Sequence, residues 1–187
     1  MKKENLKRLV LTAIMLGLAT ALSVIPIFPE PPMGGKITLA SMLPIILIVL
    51  KYDFKWGLFT TITYSVIQML LSFAEVLSWG LSAEIFIGVL ALDYILPYAF
   101  LFVAGVFKKY GKVGVMAGSA LALFVRFSFH FLSGMVLWDY ITEMGFWGAF
   151  TYSALYNGGY MLPELVITEI ILGALIATKA YKKIINA

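Results

Sequence analysis

Cysteine is absent from the 187 residues, which excludes disulfides and thiolate metal centres. Histidine occurs once, as His130. Charge is scarce, at 13% of residues against 61% hydrophobic, and that balance fits a polytopic membrane protein and no soluble class. The length predicts a single domain over 1–187. There is no internal repeat and no low-complexity tract. A cleavable signal is not expected either, because the first apolar run is long enough to span and no small-residue site ends it cleanly. A phosphate loop is missing: Gly35-Lys36 lacks the upstream glycine, so ATP hydrolysis by this chain alone is excluded. The net charge of +4 does not imply nucleic acid, since the basic residues sit in short runs between apolar segments.

Those apolar segments predict an all-α integral membrane fold of six transmembrane helices, at about residues 8–27, 37–50, 56–74, 84–107, 114–138 and 156–178. The first stops near Pro26. Along it Ala13, Gly17 and Ala21 recur every fourth residue, a spacing that lets another helix approach closely in a membrane. Packing within the chain and docking of a partner subunit both fit that stripe. Residues 28–36 form a Pro/Gly loop that cannot be helix. The second segment carries Pro44 and is near the lower length limit, so it should be tilted or partly sheltered. Residues 139–152 read as an aromatic and acidic connector.

An even number of spans puts both termini on one side. All lysines and arginines except Lys36 and Arg126 then fall on that side, which places both termini in the cytoplasm. The opposite connectors are acidic, with Glu30, Glu75, Asp139 and Glu143.

Within the fifth segment Arg126, His130, Gly134 and Trp138 share one helix face. An ionisable side chain inside a span is by default a functional-site candidate. At about 1.5 Å per residue His130 lies roughly 12 Å from the outer end of its helix, and Asp93 roughly 14 Å from the outer end of the fourth. The two therefore reach a similar depth. Asn157 and Tyr160 sit near the outer end of the sixth segment, and Tyr152 just before it. Together they predict an outward-facing pocket of a carboxylate, an imidazole, an amide and aromatic rings. A buried carboxylate needs a compensating charge or hydrogen bonds. Trp and Tyr faces attract a desolvated cation by roughly 2 kcal/mol. The chemistry suits a small flat cation.

Simpler readings stand beside this one. His130 could be satisfied by a neighbouring carbonyl, and Asp93 could pair with Arg126. Glu164 and Glu169 could serve helix–helix hydrogen bonding, or face a partner as protonated carboxyls. An intramembrane enzyme would need Ser133 activated by His130, but no aspartate is placed to orient the histidine and no oxyanion motif appears. A channel would need polar residues along a full path, and the cytoplasmic halves of most spans are almost wholly apolar.

Three motifs carry a resemblance over essentially the whole chain: Phe129-His130-Phe131-Leu132-Ser133-Gly134 with Trp138, Trp147-Gly148-Ala149-Phe150-Thr151-Tyr152-Ser153 with Asn157, and Leu92-Asp93-Tyr94. Gly34-Gly35-Lys36-Ile37-Thr38 leading to Met42-Leu43-Pro44-Ile45 adds to them. The chain resembles the S-components of energy-coupling factor (ECF) vitamin transporters, and among them the thiamine-specific family. That resemblance implies that Asp93, Tyr94, His130, Trp138, Tyr152 and Asn157 contact thiamine. Some members carry Glu at the position of Asp93, and some carry a ligand-covering Trp at the position of Gly35. Trp79 is expected to supply the connector aromatic. The resemblance also implies that Ala13, Gly17 and Ala21 dock on a membrane-embedded T-component, which sits on two ATP-binding cassette ATPases. It implies a bacterial plasma-membrane protein that binds its vitamin outside and topples in the bilayer to release it, with no cofactor or metal. An S-component for another vitamin, or for a thiamine precursor such as hydroxymethylpyrimidine, is the alternative.

Overall fold

The computed structural model describes residues 3–28, 35–138, 143–178 and 181, and among these there are helices and no strands. The helix α1 runs Lys3–Ser23, α2 Leu43–Lys51 and α3 Phe54–Ser78. Next, α4 (Ala83–Val89) passes through a π-type turn, Leu90–Ile95, into the short α5 (Leu96–Ala99) and a 3-10 stretch, Phe100–Gly105. After a reversal at 106–110, α6 (Gly111–Ser133) runs back and ends in a second π-type turn, Gly134–Trp138. Finally α7 covers Gly145–Ala177.

The helical stretch Ala83–Leu137 holds 55 residues, roughly 80 Å if straight, far more than the ~30 Å of a hydrocarbon core. It folds in two because Gly111 takes a φ of +71°, open to glycine without a Cβ clash. The returning α6 then packs on the 3-10 stretch. A Cβ at Gly118 would fall on the Ala104 carbonyl, and one at Gly114 on the Phe107 carbonyl, so these two glycines set the close approach. Long apolar rods make the chain a multi-pass membrane protein.

The segment expected as a helix over 37–50 differs. Only Leu43–Lys51 is helical, nine residues or about 13 Å, too short to cross alone. Residues 37–42 are irregular, and Pro44 sits in the first turn of α2 where its missing N–H costs nothing. Every residue from Leu43 to Leu50 is buried. A helix apolar all round belongs inside, and α2 is the axis of the main core. Tyr64, Leu101, Leu123 and Leu172 from the surrounding elements pack against it. Its carboxyl end is not left bare, because Lys108 Nζ donates to the carbonyls of Val49 and Tyr52. Asp53 caps α3 by accepting from Trp56 N–H at 3.1 Å, a bond that holds its carboxyl below the ordinary carboxylate range.

The last helix starts at Gly145, earlier than the expected 156, so Trp147 and Tyr152 lie on α7 itself and not in a connector. No proline falls between Gly145 and Tyr156, so every N–H there can join the helical ladder despite Gly148. By contrast α1 is thinly attached. Thr12 accepts from Trp56 Nε1 at 3.0 Å, Ser23 accepts from Gln68 Nε2 at 2.9 Å, and Arg8 lies 3.3 Å from Asp53. Its residues Ala13, Gly17 and Ala21 are exposed, and nothing lies within 4 Å of a Cβ built on Gly17. Packing within the described chain therefore does not use the stripe.

Gly118→Val should lower the thermal midpoint in detergent by the equivalent of about 1–3 kcal/mol, the usual cost of overpacking. The same substitution at Gly17 should leave the midpoint unchanged. Equal midpoints for both variants would contradict the close approach of α6 to the 3-10 stretch.

Candidate functional site

One cavity of about 220 Å³ opens between α3, the two π-type turns, α6, α7 and the strap 35–42. Its walls include Gly35, Trp79, Asp93, Tyr94, His130, Tyr152 and Asn157, seven of the positions singled out in the sequence. The eighth, Trp138, ends the second π-type turn, and its side chain lies outside the described residues.

Both π-type turns are at this cavity. In the first, Leu96 N–H reaches back five residues to the Ala91 carbonyl, and Pro97 has no N–H with which to continue the ladder. The extra residue per turn puts Asp93 and Tyr94 on the cavity wall together. Single π-type turns inside α-helices recur at functional sites. The second begins at Gly134, where a Cβ would collide with the Ser153 side chain, so only glycine lets α7 come this close.

Asp93 and His130, placed at similar depth by helix rise, are in direct contact: His130 Nδ1 lies 3.0 Å from Asp93 Oδ1. Ser133 Oγ donates to Asp93 Oδ2 at 2.6 Å. Carboxylate oxygens accept, so the proton in the first bond belongs to Nδ1. That leaves His130 Nε2 buried at the cavity with no partner among the described residues. A buried polar atom without a partner is costly, and a bound ligand is the natural partner. The expectation that no aspartate orients His130 is thus corrected. An enzyme reading gains nothing, because Ser133 donates to Asp93 and not to the histidine. The suggested Asp93–Arg126 pair is also replaced. Arg126 bonds Tyr98 Oη at 3.2 Å, with its guanidinium 4.9 Å from that ring's centroid.

On the facing wall Asn157 Nδ2 donates to the carbonyls of His130 and Ser153 at 3.2 and 3.1 Å. Tyr160 Oη donates to Asn157 Oδ1 at 2.8 Å. The bond to the His130 carbonyl ties α7 to α6, and the other two brace Asn157 within α7. Tyr152 and Tyr156 stack, with centroids 5.6 Å apart and planes at 19°, and Tyr160 meets Tyr156 and His130 edge to face. The cavity thus pairs a carboxylate–imidazole couple with flat aromatic faces. It can receive a small ring compound that carries hydrogen-bond donors and a positive charge.

Sequence reasoning did not include Tyr98, Tyr156, Gln68 or Glu164 among the cavity residues. A signal for two of them was present, since Tyr152, Tyr156, Tyr160 and Glu164 recur every fourth residue on α7.

Fold and cavity together define a multi-pass membrane protein built to hold a small molecule. Comparison with known proteins narrows the class. The family model described as Thiamine transporter protein (Thia_YuaJ) matches residues 9–184, and this chain belongs to that family. Thiamine transporter ThiT of Bacillus subtilis (strain 168) is 30% identical over 190 residues, covering 95% of this chain and 94% of that one. A solved structure of ThiT from Listeria monocytogenes superposes with a TM-score of 0.70 at 24% identity, covering 98% of this chain and 99% of that one. It supports the fold. The family is one of transport proteins and not of enzymes.

Ser133→Ala removes a donor to Asp93 and should destabilise the detergent-purified protein by about 1–3 kcal/mol, the cost of stranding a buried acceptor. Thermal unfolding monitored by tryptophan fluorescence checks this, and a midpoint equal to wild type would mean that the Ser133–Asp93 bond carries no weight.

Proposed function

We propose that this chain is the thiamine-binding S-component of an ECF-type importer, and that Asp93, Tyr94, His130, Trp138, Tyr152, Asn157, Trp79 and Gly35 form its thiamine site. The observation that carries the reading is the Asp93–His130 couple facing stacked tyrosines in one cavity, in a chain of the thiamine transporter family. Thiamine is a cation of two flat rings, an aminopyrimidine and a thiazolium, joined by a methylene. The Asp93 carboxylate complements the thiazolium charge, aromatic faces stack on the rings, and the unpartnered His130 Nε2 is free to meet a polar atom on the pyrimidine.

In this reading the chain makes six passes with both termini in the cytoplasm and the cavity opening outside. The second pass is the strap 37–42 plus α2. Six residues extend at most roughly 20 Å and nine helical residues add about 13 Å, together close to the ~30 Å core. Non-helical backbone at that depth is tolerated where protein buries it, and Thr38, Ala40, Ser41 and Met42 are all buried. The exposed stripe of Ala13, Gly17 and Ala21 is the docking face for the membrane T-component. Two ATP-binding cassette ATPases below that subunit supply the energy at the plasma membrane.

Titration of the detergent-purified chain with thiamine, followed by tryptophan fluorescence with riboflavin and biotin as controls, tests the ligand. Saturable quenching by thiamine alone is expected, and no response to thiamine would return the ligand to its precursors or another vitamin. Asp93→Asn should weaken binding at least about tenfold, or 1.4 kcal/mol, while expression holds. Unchanged affinity would sink the site. Gly17→Leu should bind thiamine as wild type does and lose ATP-driven uptake when the energising subunits are present. Persisting uptake would rule out the docking face.

A further inference from the structure

Glu164 is 2% exposed on α7, at the inner wall of the cavity. Among the described residues its three hydrogen bonds go to the strap. Oε2 accepts from Thr38 N–H at 2.6 Å, Oε1 from Thr38 Oγ1 at 2.7 Å, and Oε1 also from Ser41 Oγ at 3.5 Å. Thr38 Oγ1 in turn accepts from Ser41 N–H at 3.2 Å. Two turns up the same helix, Tyr156 Oη accepts from Gly35 N–H at 3.3 Å. The strap is therefore fastened to α7 at Gly35 and again at Thr38 and Ser41, while its carbonyls at Ile37, Ala40 and Met42 accept from the N–H groups of Ile27, Leu43 and Ile46. Ala40 sits at a φ of +53°, a conformation that an alanine does not choose unaided.

We propose that Glu164 is a positioning residue for the ligand site: it fixes the strap 35–42 as a rigid inner wall, and so sets how long a ligand stays. This rests on the thiamine-site reading above. The helices on the other sides of the cavity are internally hydrogen-bonded and keep their shape without a ligand. In the strap, by contrast, the Gly35 and Thr38 amides depend on side chains from α7. Loss of the Glu164 carboxylate leaves the Thr38 amide without its partner at membrane depth. The strap then samples open arrangements, through which the ligand escapes.

The test uses full-length protein in detergent, in two arms. The first needs no ligand: hydrogen–deuterium exchange over residues 35–42 in wild type, Glu164→Ala and Glu164→Gln. Exchange should rise at least about tenfold in Glu164→Ala, and exchange in α3 and α6 should stay at wild-type values. Glu164→Gln keeps one carbonyl oxygen for the Thr38 amide and should recover most of the protection. The second arm measures thiamine association and dissociation by stopped-flow fluorescence. Dissociation should speed up about tenfold in Glu164→Ala with association changed far less, and Glu164→Gln should lie between. Should Glu164→Ala not fold, the pair Thr38→Val and Ser41→Ala removes the hydroxyl donors from the other side and should speed dissociation in the same direction. Wild-type exchange over 35–42 in a folded Glu164→Ala, or wild-type dissociation in every variant, would overturn the proposal. A wild-type chain that ignores thiamine would fail the ligand reading and leave the first arm to decide the strap.

Discussion

Hydrocarbon offers no hydrogen-bond partner, so every backbone N–H and C=O inside the bilayer must be satisfied by the protein itself. That constraint orders this structure. Where the chain stays helical, the ladder meets it and the sequence needs only apolar side chains. Where the chain departs from the helix, a particular side chain takes over. Thr38 N–H is met by Glu164, and the end of α2 by Lys108. Serines and threonines within the rods return their hydroxyls to carbonyls one turn back, as Thr60 does to Trp56 and Ser65 to Ile62. The departures gather around the cavity, because a binding site needs shapes that a straight helix cannot make.

The same rule explains how charge survives at this depth. Asp93 is held by His130 and Ser133, so its negative charge is shared over two donors. Arg126 is held by the hydroxyl and ring of Tyr98. Asn157 then uses its amide to bridge α6 and α7. The cavity is rigid on these sides because each polar group is fixed by another. The exceptions among the described residues are His130 Nε2 and Arg126 Nε, both on residues that line the cavity.

Much of this was legible in the sequence for one reason: helix periodicity converts spacing into a shared face. Arg126, His130 and Gly134 line the cavity as their four-residue spacing implies, and helix rise brought Asp93 level with His130. The exposed small residues on α1 were legible in the same way. What periodicity cannot carry was missed. The strap was read as the start of a helix because Ile37 to Leu50 is apolar, and apolar content alone does not separate helix from buried irregular chain. Its fastening to Glu164 spans 126 residues of sequence, a separation that no local pattern reports. The π-type turn that presents Asp93 with Tyr94 has only Pro97 as a local trace.

The length of α7 carries a mechanical consequence. Its 33 residues make a rod of roughly 50 Å, well beyond the ~30 Å of the core. Such a rod is a lever. A rotation of about 10° around its carboxyl end sweeps the far end through roughly 9 Å, given that length. Tyr152, Tyr156, Asn157 and Tyr160 ride near the long arm, and Leu172 and Ile176 sit at the fulcrum in the main core. A small change of tilt in the bilayer is therefore magnified where the cavity is, and scarcely felt where the helix is packed.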